Sequence, residues 1–553
     1  MKSWKIIRKT ISILLSLSVL TSIVIPAASA ATTNSDYSSF IRGVDVSMLS
    51  SVEKRGATYY ENGTKKDALQ ILKDHGANYV RLKLWIDPYD SNGNSYGGGG
   101  NDYSTDLALA KRAKALGMKV LIDFHLSDFW ADPGTQSKPK AWASLSYSDL
   151  KTTVYNYIKT TMNTFVAAGI TPNMVQIGNE ISSGILWNDG KVGGSITDFT
   201  QLAELLHQAI QGVRDSNDSA TKIILHLDNG GSYSLYQWWF AGVTGCGIAL
   251  DYDIIGLTYY PMWHGTLDQL QYNMNDISKQ YGKDVLIVET AYAWTTADGD
   301  GLGSSFSATD ATTAGYPASV AGQIQFFRDL QTTLLNVPSN RGLGYFYWEP
   351  EWLPVSGANW GTAAGATYIG DSGILSNPWD NLTLFDFSGN VLNSVNILNA
   401  PGNNLLTNAD FETDGYTNTP TGWSVSLSSG AASTTVKTES GNSYNGSYNL
   451  TLWNSAAYTG TVYQTKTGLA NGTYNLSAWV KSGGGQNTCR IYAKNFGGTE
   501  IDTAVPTSDT GWVKIEVKNI KVTNGTCQIG LYTNANAGNW CSIDNTIFRK
   551  VLS

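Results

Sequence analysis

The 553-residue sequence predicts an α/β fold, a (β/α)8 or TIM barrel, followed by a β-sandwich. Three observations predict it. Eight apolar, strand-like segments between Ile41 and Trp348 alternate with helical ones, the pattern of a parallel sheet with helical crossovers. Beyond Asn404 the helical periodicity gives way to short alternating segments between Gly, Asn and Thr turns, which describes packed antiparallel sheets. Two of the eight strands end on carboxylates, and barrels of this class hold their sites at the carboxyl ends of the strands.

Taken in order, the chain opens with Lys2, Lys5, Arg8 and Lys9, an apolar run from Ile11 to Ile25, and Ala28, Ser29 and Ala30 before Ala31. These are the three zones of a secretory signal, and the run is short for a spanning helix. Residues 1–30 are therefore read as signal and the product as secreted, with no membrane segment in the mature form. Strands are predicted at 41–47, 79–86, 119–125, 174–180, 222–227, 253–260, 285–290 and 344–348. Between them, 65–75, 106–116, 148–168, 198–214, 267–281 and 318–335 carry apolar residues at helical spacing. Gly76, Gly117 and Gly169 follow three of these, where a left-handed cap belongs. The barrel domain is assigned to 31–398, a linker to 399–404 and the sandwich to 405–553.

The formal charge of -8 becomes -12 once the four signal cations are removed. An acidic chain suits neither nucleic acid nor an anionic membrane, both of which reward clustered Lys and Arg. Cys246, Cys489, Cys527 and Cys541 are too few for a disulfide framework and fit no zinc spacing; one bridge among the last three stays open. The chain has 18 Trp and 30 Tyr but only 15% charged residues. Aromatic faces stack on sugar rings while nearby amides bond hydroxyls, so loop aromatics point to carbohydrate; core packing is the alternative for each.

The segment Asn173–Glu180 runs through Val175 and Ile177 and stops on Asn179 and Glu180; Asp284–Thr290 ends on Glu289. Glu180 thus ends the fourth strand and Glu289 the seventh, and in a closed barrel those ends face one another across the mouth. Two carboxylates are the minimum for glycoside hydrolysis, one protonating the departing oxygen while the other supports the anomeric carbon. Arg81, on the second strand, is placed to keep Glu289 ionised or to form a rim ion pair.

The stretches Arg81, Lys83, Trp85, Asp87 and Pro88; Asp123, His125, Asp128, Trp130, Asp132 and Pro133; Asn179 and Glu180; Tyr259, Tyr260 and Pro261; and Glu289 and Thr290 resemble the successive motifs of glycoside hydrolase family 53. That family comprises retaining endo-β-1,4-galactanases of a large clan of barrel glycosidases, and the resemblance extends from Phe40 to Ile397. It implies Glu180 as general acid/base, Glu289 as nucleophile, carboxylates about 5 to 5.5 Å apart, and a β-1,4-galactan substrate from pectin. Asn179 is expected to bond the sugar 2-hydroxyl. Arg81, His125, Asp128, Tyr259, Tyr260 and Trp348 are expected to line the substrate site, with Trp85, Trp130, Trp187 and Trp263 as further platforms. A structural role for a buried His125 stands beside this.

Past the nucleophile, Asp298, Asp300, Leu302 and Ser304 sit in a Gly-rich loop. Alternating oxygen ligands suit calcium, and a flexible Asp-Gly turn is the alternative. The resemblance implies a structural calcium site completed by Asn377 and Asp380, with Asp298, Asp300 and Asp380 the firmest ligands and the Leu302 carbonyl another; Ser304 and Asn377 depart from the family pattern. No organic cofactor and a monomer are expected.

In the sandwich, Asn408, Phe411 and Glu412 at the start and Asp544 and Asn545 near the end resemble carbohydrate-binding modules of the galactose-binding jelly-roll type, such as module family 61. That resemblance implies Glu412 and Asp544 as ligands of a second calcium. Trp453, Trp479, Trp512 and Trp540 divide between sugar platform and core. Three functions compete: a secreted galactan hydrolase with a targeting module, a related hydrolase acting on mannan, xylan or cellulose, and a noncatalytic polysaccharide-binding protein. The motif from His125 to Pro133 favours the first over the second, and the retention of both carboxylates disfavours the third.

Overall fold

The computed structural model describes residues 39–400, 404–429, 431–444 and 447–551. The expected signal, residues 1–30, and residues 401–403 of the linker lie outside them. Eight parallel strands, β1 (Ile41–Asp45), β2 (Tyr79–Leu84), β3 (Lys119–Phe124), β4 (Met174–Ile177), β5 (Lys222–Leu227), β6 (Ile254–Thr258), β7 (Asp284–Thr290) and β8 (Gly342–Trp348), close into a barrel in sequence order. Strand β8 pairs back onto β1 through Ile41–Gly344 to Asp45–Trp348.

The crossover helices are α1 (Ala68–Asp74), α2 (Tyr103–Ala115), α3 (Tyr147–Ala167), α4 (Thr200–Arg214), α5 (Tyr233–Gly245), α6 (Leu267–Tyr281) and α7 (Val320–Leu335). Local chemistry starts them. Asp67, Asp102, Ser146 and Ser319 each accept the backbone N–H three residues on, and Thr266 with Gln269 forms a reciprocal capping box. Gly76, Gly117 and Gly169 adopt φ of 103°, 72° and 84°, as terminal glycines should. Lys65 and Lys66, expected at the start of the first helix, instead join Thr64 in a hairpin with Tyr59–Glu61. Helix α5 escapes the periodicity because Tyr236, Trp239, Phe240 and Val243 are buried while Trp238 lies on the other side, so no polar face marks it.

The barrel interior has two chemically distinct storeys. At the bottom, Ile41, Tyr79, Leu121, Met174, Ile224, Ile254, Leu286, Val288 and Phe346, at least one from every strand, form a closed apolar plug. Gly43 is required there, because a Cβ on it would lie 2.2 Å from the Phe346 ring. Two residues above the plug on β2 to β5, and four above it on β1 and β6, the same inward side carries Arg81, Asp123, Gln176, His226, Asp45 and Thr258, all buried. An apolar floor thus carries a polar layer that opens into the loops.

The C-terminal domain is a sandwich of two five-stranded antiparallel sheets. Its strands are β9 (Ser424–Leu427), β10 (Val436–Ser440), β11 (Tyr448–Trp453), β12 (Tyr458–Thr467), β13 (Gly472–Ser482), β14 (Thr488–Lys494), β15 (Ile501–Ala504), β16 (Val513–Val522), β17 (Thr526–Ala535) and β18 (Trp540–Lys550). The sheet orders are β9-β12-β17-β14-β15 and β10-β11-β18-β13-β16. Alternate residues of both, such as Val462, Val480, Ile491, Ile529 and Ile543, fill the core. All four cysteines are free thiols; those of Cys489 and Cys541 touch across the two sheets.

Candidate active site

A cavity of about 1190 Å³ opens at the carboxyl ends of the barrel strands. Arg81, His125, Asn179, Glu180, Tyr260, Glu289 and Trp348 line it together with Lys83, Trp130, Trp263, Trp360 and Trp379. The two glutamates reach it by local irregularities. Strand β4 ends at Ile177; Gly178 then takes φ 75° and Glu180 itself φ 49°, which turns the carboxylate off the strand axis. On β7 the register with β6 slips between the pairs Leu257–Ile287 and Thr258–Glu289. This bulge lets consecutive residues both serve the interior, Val288 in the plug and Glu289 in the cavity.

Ligand atoms of Glu180, Glu289 and His226 all lie within 4.8 Å of one another. The imidazole cannot offer a lone pair to a metal. Its Nδ1 accepts the Glu180 backbone N–H at 3.2 Å and faces the Gln176 amide at 3.0 Å. The proton therefore sits on Nε2, which donates to the Thr258 hydroxyl at 2.7 Å. That hydroxyl in turn bonds the Glu180 carboxylate. Burial, then the charge of Arg81, pushes the His226 pKa well below the usual value, so the ring is neutral.

Burial and the neighbouring Glu289 and Asp228 raise the Glu180 pKa well above the carboxylate range. Glu289 is raised to about 7, again by burial, against the charge of Arg81 and the hydroxyl of Tyr260. The Tyr260 hydroxyl donates to Glu289 Oε1 at 2.9 Å, and Arg81 Nη1 stands 3.7 Å from Oε2. The guanidinium is hydrogen-bonded instead to Asp45 (2.7 Å), Asp123 (2.8 Å) and the Asn179 amide oxygen (2.8 Å). Arg81 thus acts on Glu289 through space while being fixed by others. Ionisation of one opposes ionisation of the other, so between the two steps the pair holds one proton, and the stronger upward push on Glu180 puts it there. One acid and one carboxylate on a single cavity are equipped for proton donation and nucleophilic attack together.

The aromatic walls are Trp348, which stacks on Trp360 at 5.4 Å between centroids, and Trp379, edge-on to Trp348 at 4.6 Å. Asn179 keeps part of its amide for the cavity after donating to Ala131 O at 2.8 Å. His125 lines the cavity and stands 3.0 Å from Asp123.

Four expected sugar contacts are corrected. Asp128 turns away from the cavity to accept the backbone N–H groups of Asp87 (3.1 Å) and Lys140 (2.7 Å), so it organises the loop. Tyr259 is fully buried, with its hydroxyl on Gly265 O at 2.8 Å, because neighbouring residues at a strand end alternate sides. Trp85 is fully buried and donates to His125 Nδ1 at 3.2 Å. Trp187 lies outside the cavity, beside Trp238. Lys83 and His226 were not anticipated. Each lies two residues beyond an inward-facing one, Arg81 or Ile224, so strand period contained the signal.

The calcium expectation meets a cluster in which Asp298, Asp300 and Asp380 bring carboxylate oxygens within 4.8 Å of one another. Asp380 Oδ2 accepts the Gly299 N–H at 2.6 Å, while its buried Oδ1 and the buried Ser304 hydroxyl have no partner. Burial and the two other acids push Asp380 up to about 7. Hard oxygens, an orphaned lone pair and mutual repulsion fit a calcium ion. Leu302 keeps its carbonyl for such a role, its N–H being on Asp300 at 2.9 Å. The Asn377 side chain instead bonds the Trp379 N–H (3.2 Å) and Leu353 O (3.4 Å). In the sandwich, Glu412 accepts the N–H groups of Ser447 and Tyr448, and Asp544 that of Tyr444. Both therefore anchor one loop, and neither joins a group of three metal-ligating side chains among the described residues.

The model of glycosyl hydrolase family 53 matches residues 41–398, and that of a carbohydrate binding domain matches 403–537. An endo-β-1,4-galactanase of Bacillus subtilis strain 168 is 38% identical over 380 residues, 65% of this chain and 85% of that protein. An arabinogalactan endo-β-1,4-galactanase of Humicola insolens is 36% identical over 362 residues, 64% of this chain and 98% of that one. Among solved structures, the catalytic domain of an Ignisphaera aggregans member of the same family is 42% identical, with TM-score 0.60, covering 66% of this chain and 96% of its own.

Proposed function

Because the chain belongs to glycosyl hydrolase family 53, we propose that it is a secreted endo-β-1,4-galactanase that cleaves the galactan side chains of pectin with retention at the anomeric carbon. The observation that carries the reading is the pair Glu180 and Glu289, with oxygens within 4.8 Å in one cavity. Carboxyl groups near 5 Å leave no room for an inverting water. The galactan preference rests on the similarity to galactanases such as that of Bacillus subtilis.

In the proposed reaction Glu289 attacks the anomeric carbon while Glu180 gives its proton to the leaving oxygen. The glycosyl-enzyme is then hydrolysed by a water that Glu180 deprotonates. Arg81 and Tyr260 keep the nucleophile charged at the moment of attack, and Asn179 bonds the 2-hydroxyl as the ring flattens. Trp348 carries an apolar sugar face. Asp298, Asp300, Asp380 and the Leu302 carbonyl would hold a calcium ion that ties the loop after β7 to the one after β8, with no part in the chemistry. The sandwich would hold the enzyme on the polysaccharide.

Product analysis on β-1,4-galactan, with mannan, xylan and cellulose alongside, tests the substrate. A mechanism-based fluorosugar tests the mechanism: labelling of Glu289 is expected, and labelling of Glu180 would reverse the roles.

A further inference from the structure

A second cavity, of about 590 Å³, lies beside the catalytic one, and both domains line it. The barrel contributes the loop after β6, from Pro261 to Thr266, Leu267 and Asp268 at the start of α6, the segment Thr313–Tyr316, and Gln325, Asp329 and Thr333 of α7. The sandwich contributes Lys514, Glu516 and Lys518, three successive residues on one face of β16. The domains meet here: Lys518 Nζ stands 3.5 Å from Asp329, Asn275 on α6 bonds the Tyr444 hydroxyl, and Arg549 bonds Thr332 on α7.

Trp263 lines both cavities and is 47% exposed, among the most exposed of the large apolar residues. Its ring lies 5.2 Å from that of Tyr260, which holds the nucleophile. The catalytic cavity and the groove between the domains therefore adjoin at one aromatic side chain. Polar groups there are held in fixed pairs, Lys514–Glu516 at 3.4 Å, Lys518–Glu516 at 3.0 Å and Tyr316–Asp329 at 3.1 Å. With Asp268, three carboxylates face two ammonium groups. A polyanion gains nothing from that balance, whereas a neutral polyhydroxylated chain finds both donors and acceptors beside an apolar platform.

We infer that β16 of the sandwich and the loop after β6 form an extended binding site for a neutral β-linked polysaccharide, continuous with the catalytic cavity across Trp263. The sandwich in this view is a wall of the substrate cleft as well as a tether. The inference rests on the reading of the catalytic cavity given above, since a chain cut internally must leave the cavity at both ends. A tether raises local concentration whatever its wall residues are; a wall depends on them.

The test uses the full chain and the ratio of kcat/KM on soluble β-1,4-galactan to kcat/KM on galactotetraose. Trp263→Ala and the double variant Lys514→Met, Glu516→Gln are expected to lower that ratio at least fivefold. Arg490→Ala, on β14 of the opposite sheet, is expected to leave it unchanged. A ratio within twofold of wild type in both groove variants overturns the inference. Wild-type protein that releases nothing from galactan overturns the functional reading instead. Titration of Glu180→Ala protein with long galactan oligosaccharides then decides the groove: affinity lowered by the groove substitutions supports it, and unaltered affinity overturns it.

Discussion

Two acid clusters at the same end of the barrel, Glu180 with Glu289 and Asp298 with Asp300 and Asp380, meet the same electrostatic cost differently. The first has a buried guanidinium within 3.7 Å, a tyrosine hydroxyl on one member and a threonine hydroxyl on the other. The second has backbone N–H donors and one orphaned oxygen, and its members raise one another's charge cost, burial and then Asp300 and Asp298 pushing Asp380 up. Acids supplied with a cation by the fold can hold one proton and one charge, which is what proton transfer needs. Acids left without one create a demand that a metal from solution would meet.

The contrast is broken most severely by removing the acids themselves. Glu180→Ala and Glu289→Ala are each expected to lower kcat by on the order of 10³-fold, without lowering the unfolding midpoint. Both carboxyls have raised pKa values, so above the ordinary carboxylate range each ionised form weighs against the fold, and removing it relieves that weight. Asp380→Asn is expected to do the reverse, leaving kcat within about twofold while removing any calcium-dependent rise in melting temperature. Kinetics paired with thermal unfolding, with and without chelator, read both. Loss of activity with Asp380→Asn in saturating calcium would merge the clusters into one site and sink the comparison.

The difference between the clusters was legible only in part from the sequence. Period-two strands ending on acids located β4, β7 and the cavity, because inward and outward positions alternate along a strand. The resemblance misplaces Tyr259, which neighbours Tyr260 of the cavity but faces the core, as alternation requires. Glu289 reaches the cavity through a register slip, and a bulge leaves no trace in hydrophobic pattern. Asp128 sits in a recognisable motif, yet its carboxylate closes a loop. Motifs report that a residue matters and are silent on which way it points. The acidic loop at Asp298 and Asp300 was legible because its acids and glycines are close in sequence; the approach of Asp380 to it came only from resemblance.

A smaller effect sharpens the account of the first cluster. His226 touches Glu180 twice, through the backbone N–H and through Thr258, so it is a positioning residue. His226→Ala is expected to cost about 10- to 100-fold in kcat, as modest misplacement of a reacting group does. KM should stay nearly constant, and the alkaline limb of the pH profile, set by the Glu180 proton, should move. A merely structural histidine would lower the melting temperature and leave that limb alone.

The smallest expected effect concerns pH and the second cluster. Asp380 titrates at about 7 in the folded protein against an ordinary 3.8, so the unfolded chain releases its proton first. Metal-free protein should therefore lose stability as pH rises through that window, by no more than about 4 kcal/mol. Calcium needs the same carboxylate ionised and competes with the proton, so its stabilising effect must grow over the same range. Calcium at a hundredfold excess over Kd is worth about 2.7 kcal/mol, comparable to the cost it offsets. Melting curves near pH 5.5 and pH 8 should then diverge with chelator and draw together with calcium, and Asp380→Asn should abolish the divergence. Curves with and without calcium that superimpose at both pH values would mean that the three aspartates bear their repulsion with no ion at all.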